Sequence, residues 1–504
     1  MIKRASIIVC WLVVIGLGAF LRFDGLEKRP FHADEATGAS ITADRMGAGD
    51  YRFDPVHYHG PLLSSLTMPL ARMRGEDSWE TLTKLTPRLV TASAGMLLIL
   101  TPLLLRRRFG DPAALLAAAL LATSPLLAYY SRMFIHESLL VWFGVIALAL
   151  LTKPPKSLTA IAVGFAVGLM FSTKETFAIS IIAWLAAAAI IAVENRQRIL
   201  QGTWSDHWTL LRMPLLLFGA TALLSSLYFY TDGFRNPTGA IDAVRTFFVY
   251  ETVQGHDKPF GYYFQLIAIP EKSGGAWWFG TPVIALALFA YASTFRKPAS
   301  RGRLAIRFIA YAAVFHFLIY SLIGYKTPWL IALPWAHVCI LAGCCVVDFR
   351  ERNRAVMIPV ALVVALAVFT QFTQARRATG RFASDSRNPF AYVPTSSDVE
   401  RIAPWLQDLG TALPGIEMEP IAVVGTGYWP LPWYLRGAGK IGYWETPPED
   451  LAAMPIVFTT PDGEPEVAGL LADTHTLLPR GLRTDAPLML RVRNDIWKLW
   501  MESE

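Results

Sequence analysis

Phe31-His32-Ala33-Asp34-Glu35-Ala36 sets two adjacent carboxylates a few residues beyond the first apolar run of a 504-residue chain. Carboxylates at a membrane surface are costly to leave uncompensated, so such a pair marks a candidate site. An ionised carboxylate can act as general base toward a hydroxyl or amide attacking an anomeric carbon, while its neighbour holds a metal or a basic partner. The competing reading is an acidic pair that complements the dipole of a helix N-terminus. Farther on come Asp54-Pro55-Val56-His57-Tyr58-His59-Gly60-Pro61-Leu62-Leu63 and then Tyr129-Tyr130-Ser131-Arg132-Met133-Phe134-Ile135-His136-Glu137. Glu137, an acid in a second loop on the same side, would complete a site around a pyranosyl phosphate.

Of nine histidines, six (His32, His57, His59, His136, His256 and His475) fall on that same side, and four of them accompany the acidic motifs. Neutral imidazole with carboxylate suits a divalent metal such as zinc, manganese or magnesium, with His59 and His256 as candidate ligands beside a first-loop acid. No two histidines have the spacing of a zinc signature, and hydrogen-bonded surface histidines are the alternative. Cys10, Cys339, Cys344 and Cys345 all lie in apolar runs and read as small buried hydrophobes.

The elements that must position these groups are membrane helices. Hydrophobic residues make up 54% of the chain and charged residues only 17%, with a mean hydropathy of +0.38. The apolar residues fall in blocks, beginning near Ala5, Leu89, Ala113, Phe134, Leu158, Thr176, Leu210, Trp277, Leu304, Trp329 and Val356. Each block is long enough to cross a hydrocarbon core of about 30 Å, and each must be helical, because lipid offers no partner to a free backbone group. About eleven transmembrane helices are therefore expected.

From residue 374 onward 12 Lys/Arg face 17 Asp/Glu, a balance of −5, whereas the preceding 373 residues hold 34 and 22, or +12. That basic excess sits in short clusters beside apolar runs, which reports topology and contact with anionic lipid rather than a nucleic-acid partner. The clusters are Lys3-Arg4, Arg106-Arg107-Arg108, Lys153/Lys156, Arg196/Arg198, Arg296/Lys297/Arg301/Arg303 and Arg350/Arg352/Arg354. They place the N-terminus in the cytoplasm and, after eleven crossings, the C-terminus outside the cell membrane. The N-terminal run lacks a small-x-small cleavage site and reads as a retained signal anchor.

Residues 1–373 then form a transmembrane domain with long outer loops at 24–87 and 231–276. Residues 374–504 form a small extracytoplasmic α/β domain, with strands at Ile421–Val424, Ile441–Tyr443, Ile456–Thr459 and Leu488–Val492 and helices around Ser397–Leu413 and Asn494–Met501. Aromatic clusters in the second loop (Phe247-Phe248-Val249-Tyr250, Gly261-Tyr262-Tyr263-Phe264, Trp277-Trp278) read as interfacial anchors or as grips on sugar or polyprenyl. Trp429, Trp433 and Tyr434 are either core residues of the outer domain or part of an acceptor cleft.

HADEA (32–36), the segment from Val56 to Leu63, YSRMFIHESL (130–139), STKETF (172–177) and GYKTPWLIALP (324–334) occur in order along the first ten spans. Together they resemble the GT-C glycosyltransferase superfamily, in the branch of protein O-mannosyltransferases and aminoarabinose transferases, and most of all its "flippase activity-associated" members. The resemblance implies an inverting transfer of a sugar from a polyprenyl-phosphate donor to a glycan, lipid or protein acceptor outside the cytoplasm. It implies Asp34 as catalytic base, Glu35 in support and Glu137 as the second-loop acid. Lys326 matches a position that faces donor phosphate, and Arg132 and Lys174 are further phosphate contacts, because a lipid phosphate needs cations near the headgroup plane. For Lys174-Glu175 a local ion pair is the alternative. His57, Tyr58 and Trp329, in the same motifs, are assigned to substrate binding. Related transferases carry a Lys-Pro-Pro-type stretch where this chain has His59-Gly60-Pro61, so that lysine's phosphate role does not carry over. No Gly-rich phosphate loop is present, so no nucleotide-sugar pocket is expected. A lipid-linked-glycan translocase, or a non-catalytic accessory of one, is the other reading, although the strong charges cluster at span ends rather than near the midplane.

Overall fold

The computed structural model describes the chain except residues 1–3, 48–50, 197–203, 250–254, 349–350, 485 and 504; Lys3, Arg198, Arg350 and Tyr250 lie outside the described residues. The membrane portion is built from α1 (Arg4–Phe23), α2 (Ala33–Gly47), α3 (Leu62–Met73), α4 (Leu85–Leu100), α5 (Asp111–Thr123), α6 (Pro125–Ser131) and α7 (Glu137–Leu151). It continues with α8 (Ser157–Thr173), α9 (Phe177–Glu194), α10 (Trp204–Tyr230), α11 (Thr281–Ser293), α12 (Arg301–Leu322), α13 (Ala332–Gly343) and α14 (Arg354–Thr379). Among the described residues seven helices are long and apolar enough to cross a bilayer. The bent α5–α6 pair passes the same test when taken as one span, and α7, α8 and α11 are shorter apolar helices. These account for the eleven apolar runs, and the chain is a multi-pass membrane protein.

Two starts differ from expectation. The run at Phe134 becomes helical only at Glu137, after a turn. Trp277 and Trp278 belong to β2 (Ala276–Trp278), which pairs antiparallel with β1 (Glu271–Ser273), and α11 begins behind Gly280 with Pro282 in its first turn.

Local chemistry sets the breaks. Ser124-Pro125 divides α5 from α6, where the axis bends by 62°. Proline keeps the preceding residue out of the helical region, and the Ser124 hydroxyl accepts from Leu127 N–H to start α6 afresh. The α8–α10 contact rests on Gly164 and Gly168, where a Cβ would strike the carbonyls of Phe218 and Ala222. Small residues four apart let two membrane helices approach to backbone distance. Helix α7 lies at the centre of the bundle, with Glu137 and most of its apolar side chains buried.

The basic clusters gather at one end of the bundle. Arg108 donates to the Arg301 carbonyl at 3.1 Å, Arg303 pairs with Asp348 at 2.8 Å and Arg307 with Glu194 at 3.1 Å. At the opposite end the first long loop folds into α2 and α3 around Phe31, Ala36, Ala39, Ala71 and Leu82. Arg45 of α2 donates to Pro61 O, Ser64 Oγ and Ser65 Oγ and pairs with Asp232 at 3.2 Å, tying this loop to the second one.

The C-terminal domain is a sheet in the order β4-β3-β5-β7-β6, formed by β3 (Ile421–Val424), β4 (Ile441–Trp444), β5 (Ile456–Thr459), β6 (His475–Arg483) and β7 (Ala486–Arg493). The first three strands run parallel; β7 and β6 join antiparallel. Strands β3 and β5 are buried on both faces, as their unbroken β-branched and apolar sequence requires. The helices α15 (Ile402–Ala412), α16 (Glu464–Leu471) and α17 (Asn494–Ser503) accompany the sheet, with a short helical turn at Leu431–Leu435. Strand β6 was absent from the sequence reading, because Pro479 and Gly481 interrupt its pattern.

Candidate active site

At the end of the bundle away from the basic clusters, a cavity of about 420 Å³ is walled by the motifs singled out in the sequence. Asp34 comes from the first turn of α2, and His57, Tyr58 and His59 from the turn that follows it. Glu137 and His136 come from the start of α7, and Lys174 and Glu175 from the α8–α9 junction. Tyr325 and Trp329 come from the turn after α12.

Asp34 is half exposed to this cavity, its carboxylate 3.8 Å from His32 Nδ1. As a first-turn residue it gains from the helix dipole when ionised. Glu137 is buried and paired with Lys174 at 2.7 Å. The acid next to Lys174 in sequence, Glu175, pairs instead with His59, 3.0 Å from Nδ1 to Oε2. Burial opposes the charge of Glu175, yet His59 and Lys174 outweigh it and hold the carboxyl at about 2. The His136 ring stands edge-on to His59 at 5.1 Å. Burial, followed by the neighbouring His59 and Lys174, pushes His136 far below the usual imidazole range, so it is neutral. Tyr325 is pushed up to about 12 by burial, with Lys174 opposing and Asp34 and Glu137 reinforcing that shift. Those three charges therefore act on one phenol.

Gly60 makes the approach of His59 to Glu175 feasible. A Cβ there would fall on the Ser172 carbonyl at the end of α8, so only glycine lets the first loop lie against that helix terminus. His57 is held by Asp54, 2.9 Å from ring to carboxylate, while Asp54 also accepts from Val56 N–H at 2.8 Å. Trp329 packs edge-on against Tyr130, Tyr392 and His32 and closes the floor.

Several expected contributors stand elsewhere. Glu35 points away from the cavity: it is fully buried between Arg29 (2.8 Å) and Arg88 (2.8 Å) and accepts from the backbone N–H of His32 and Phe134. Helical geometry turns consecutive residues about 100° apart, so Asp34 and Glu35 cannot share a face. Burial disfavours the Glu35 charge, but the two arginines hold its carboxyl at about 2. Arg132 donates to the carbonyls of Leu21 (3.2 Å) and Gly25 (3.0 Å) and fastens the end of α1. The Lys326 ammonium donates to the carbonyls of Lys258, Ile323 and Gly324 and is 2% exposed, so it stitches the turn after α12 to the second loop rather than facing a phosphate.

His256 meets Tyr392 Oη and packs on Tyr325, apart from His59. Among the described residues no group of three or more His, Cys, Asp or Glu side chains is arranged to hold a metal ion. Among the described residues, the groups seen beside His59 are the Glu175 carboxylate and the His136 ring. Glu175 and His136 were quoted in the motifs but not assigned to the site. Their pairing crosses α7, α8 and the first loop, and no spacing along the chain encodes it.

The family model for dolichyl-phosphate-mannose-protein mannosyltransferases matches residues 83–220. The chain is similar to ArnT from Cupriavidus metallidurans in the apo state, with a TM-score of 0.64 and 17% identity over 95% of this chain and 97% of that one. It is similar to the same protein bound to undecaprenyl phosphate, at 0.60 and 16% over 95% and 98%. It also resembles the archaeal oligosaccharyltransferase AglB from Archaeoglobus fulgidus in complex with an inhibitory peptide and a dolichol-phosphate, at 0.51 and 15% over 100% and 78%. No curated protein sequence matches the chain significantly. The fold, a multi-pass helical body followed by a small sheet domain, is shared with ArnT over nearly the whole of both chains.

Proposed function

We propose that the chain transfers a sugar from a polyprenyl-phosphate donor to an acceptor at the extracytoplasmic face, with Asp34 as general base. The observation that carries this reading is the presence of Asp34 and the Glu137–Lys174 pair on the walls of one cavity. Of the three acids expected there, Glu35 is bound by two arginines and Glu137 by Lys174, which leaves Asp34, half exposed, able to take a proton.

The acceptor hydroxyl or amide gives its proton to Asp34 as its heteroatom bonds to the anomeric carbon. The bond from that carbon to the phosphate oxygen breaks, and its electron pair leaves with the lipid phosphate, which gains a negative charge. Lys174, oriented by Glu137, is the cation that stabilises the growing charge. His59, held by Glu175 where related transferases carry a lysine, adds positive charge when protonated. ArnT bound to undecaprenyl phosphate and AglB with dolichol-phosphate support a lipid-phosphate donor here by similarity of fold. The bias of basic clusters to the other end of the bundle supports a cytoplasmic N-terminus and an outer C-terminal domain.

Sugar transfer by the purified protein in liposomes, supplied with polyprenyl-phosphate sugars, tests the reading. Asp34→Asn is expected to lower turnover about 10²–10⁴-fold, the range of a lost general base, with donor binding intact. Full transfer by Asp34→Asn removes the assignment. Lipid movement between leaflets without transfer points to a translocase instead.

A further inference from the structure

A second cavity, of about 710 Å³, lies at the other end of the bundle, in the cleft between α8, α9, α10 and α12. The reaction cavity touches the C-terminal ends of α8 and α12 and the N-terminal end of α9; this one touches their opposite ends. The two follow one another along these helices: on α9, Ile179 lines the reaction cavity, and Ile181 and the residues beyond it line this one. Its walls are apolar, formed by side chains such as Val163, Val167, Trp184, Leu185, Phe218 and Phe308. Leu185 is 64% exposed, so the cleft opens sideways into the hydrocarbon. Arg108 and Arg301 stand at its rim.

The rim carries more positive charge than its own acids match. Arg106 is paired with Asp111 at 2.9 Å. Among the described residues no carboxylate pairs with Arg107, Arg108, Lys153 or Arg301. Burial and the like charges of Arg107 and Arg108 together lower the pKa of Lys153, so these groups crowd one another. Arg108 reaches the Arg301 carbonyl at 3.1 Å, which joins the basic segment that follows α4 to the start of α12 across the cleft. Cations clustered beside the end of a membrane helix attract anionic headgroups, and a volume of this size suits a small-molecule site.

We infer that this cleft binds an anionic phospholipid of the leaflet opposite the reaction cavity, acyl chain between α8, α9 and α12 and phosphate on Arg108 and Arg301. Bound there, the lipid braces the inner ends of the helices whose outer ends carry Lys174, Glu175 and Tyr320. The site is independent of the transfer chemistry proposed above.

The full-length protein is reconstituted in nanodiscs of phosphatidylcholine with a minor fraction of phosphatidylglycerol, and retained lipids are measured by native mass spectrometry. Wild type is expected to retain phosphatidylglycerol in preference to phosphatidylcholine. Arg108→Gln/Arg301→Gln is expected to lower that retention about 30-fold, as two lost headgroup contacts imply. Val167→Phe, which fills the cleft without changing charge, is expected to lower it as well. Equal retention of the two lipids by wild type overturns the site, and so does unchanged phosphatidylglycerol in both variants. With polyprenyl phosphate added to the same nanodiscs, its selective loss from the double variant in place of phosphatidylglycerol also overturns it.

Discussion

Asp34 and Glu35 are neighbours in sequence and opposites in role, because their surroundings differ. Glu35 has two arginines and two backbone donors and no exposed surface. Breaking a buried pair leaves an uncompensated charge, so Glu35→Gln is expected to cost about 3–5 kcal/mol in thermal unfolding. Its folded carboxyl, at about 2, lies below the ordinary value of 4.5. The stability it contributes is therefore fully present above that ordinary value and is lost as pH falls toward 2. Unfolding of wild type in detergent should become easier across that acid window, and Glu35→Gln should flatten part of the dependence. Lys174→Met is expected to lower kcat about 10²–10³-fold with donor affinity less affected, the signature of a group acting on charge that develops in the transition state. An equal rise in KM with unchanged kcat would place Lys174 in ground-state binding alone.

Among the elements, the first loop matters most, for it brings acid and imidazole to the ends of α7, α8 and α9. Its closest approach is at Gly60, where the opposing group is a helix carbonyl that cannot rotate aside. Gly60→Ala is expected to destabilise by about 1–3 kcal/mol, as overpacking does, and to abolish transfer by moving His59 off Glu175. Thermal melts alongside transfer assays check this; a variant with wild-type melting and activity would show that the loop tolerates displacement. The 62° break at Ser124-Pro125 has a comparable effect on the other wall, turning Tyr129–Arg132 beneath the cavity. The first loop and the Tyr129–Glu137 segment were legible as motifs, whereas the break at Ser124-Pro125 was not. Nor was the direction in which each side chain points, since Arg132 serves carbonyls at the end of α1 and Lys326 one from the second loop besides those of its own turn.

On the scale of the molecule, the C-terminal domain is fastened to the first loop. Trp433 is buried among Phe31, Ala36, Ala39, Ala71 and Leu82, with its ring 4.3 Å from Phe31. Tyr434 Oη accepts from Phe31 N–H at 2.7 Å, and Lys84 pairs with Glu400 at 2.6 Å. Of the two readings of Trp429, Trp433 and Tyr434, Trp433 answers to neither a sheet core nor an open cleft: it is a plug between the first loop and the C-terminal sheet domain. Trp433→Ala is expected to cost about 3–5 kcal/mol of that contact, seen as faster hydrogen exchange in both 31–82 and 429–436. Exchange raised only within 429–436 would mean that the loop stands without the domain.

The sequence by itself determined the membrane class, the number of apolar runs, four of the five strands of the C-terminal sheet and the motifs that wall the cavity. These follow from local quantities, namely hydrophobic length, alternation and the company that acids and histidines keep. Only the tertiary structure decided which cations face that cavity, because Lys174, Arg132 and Lys326 are alike in sequence. They differ in whether a carboxylate or a carbonyl from a remote segment claims them. Burial makes every such group take a partner, and partners are chosen in space rather than along the chain.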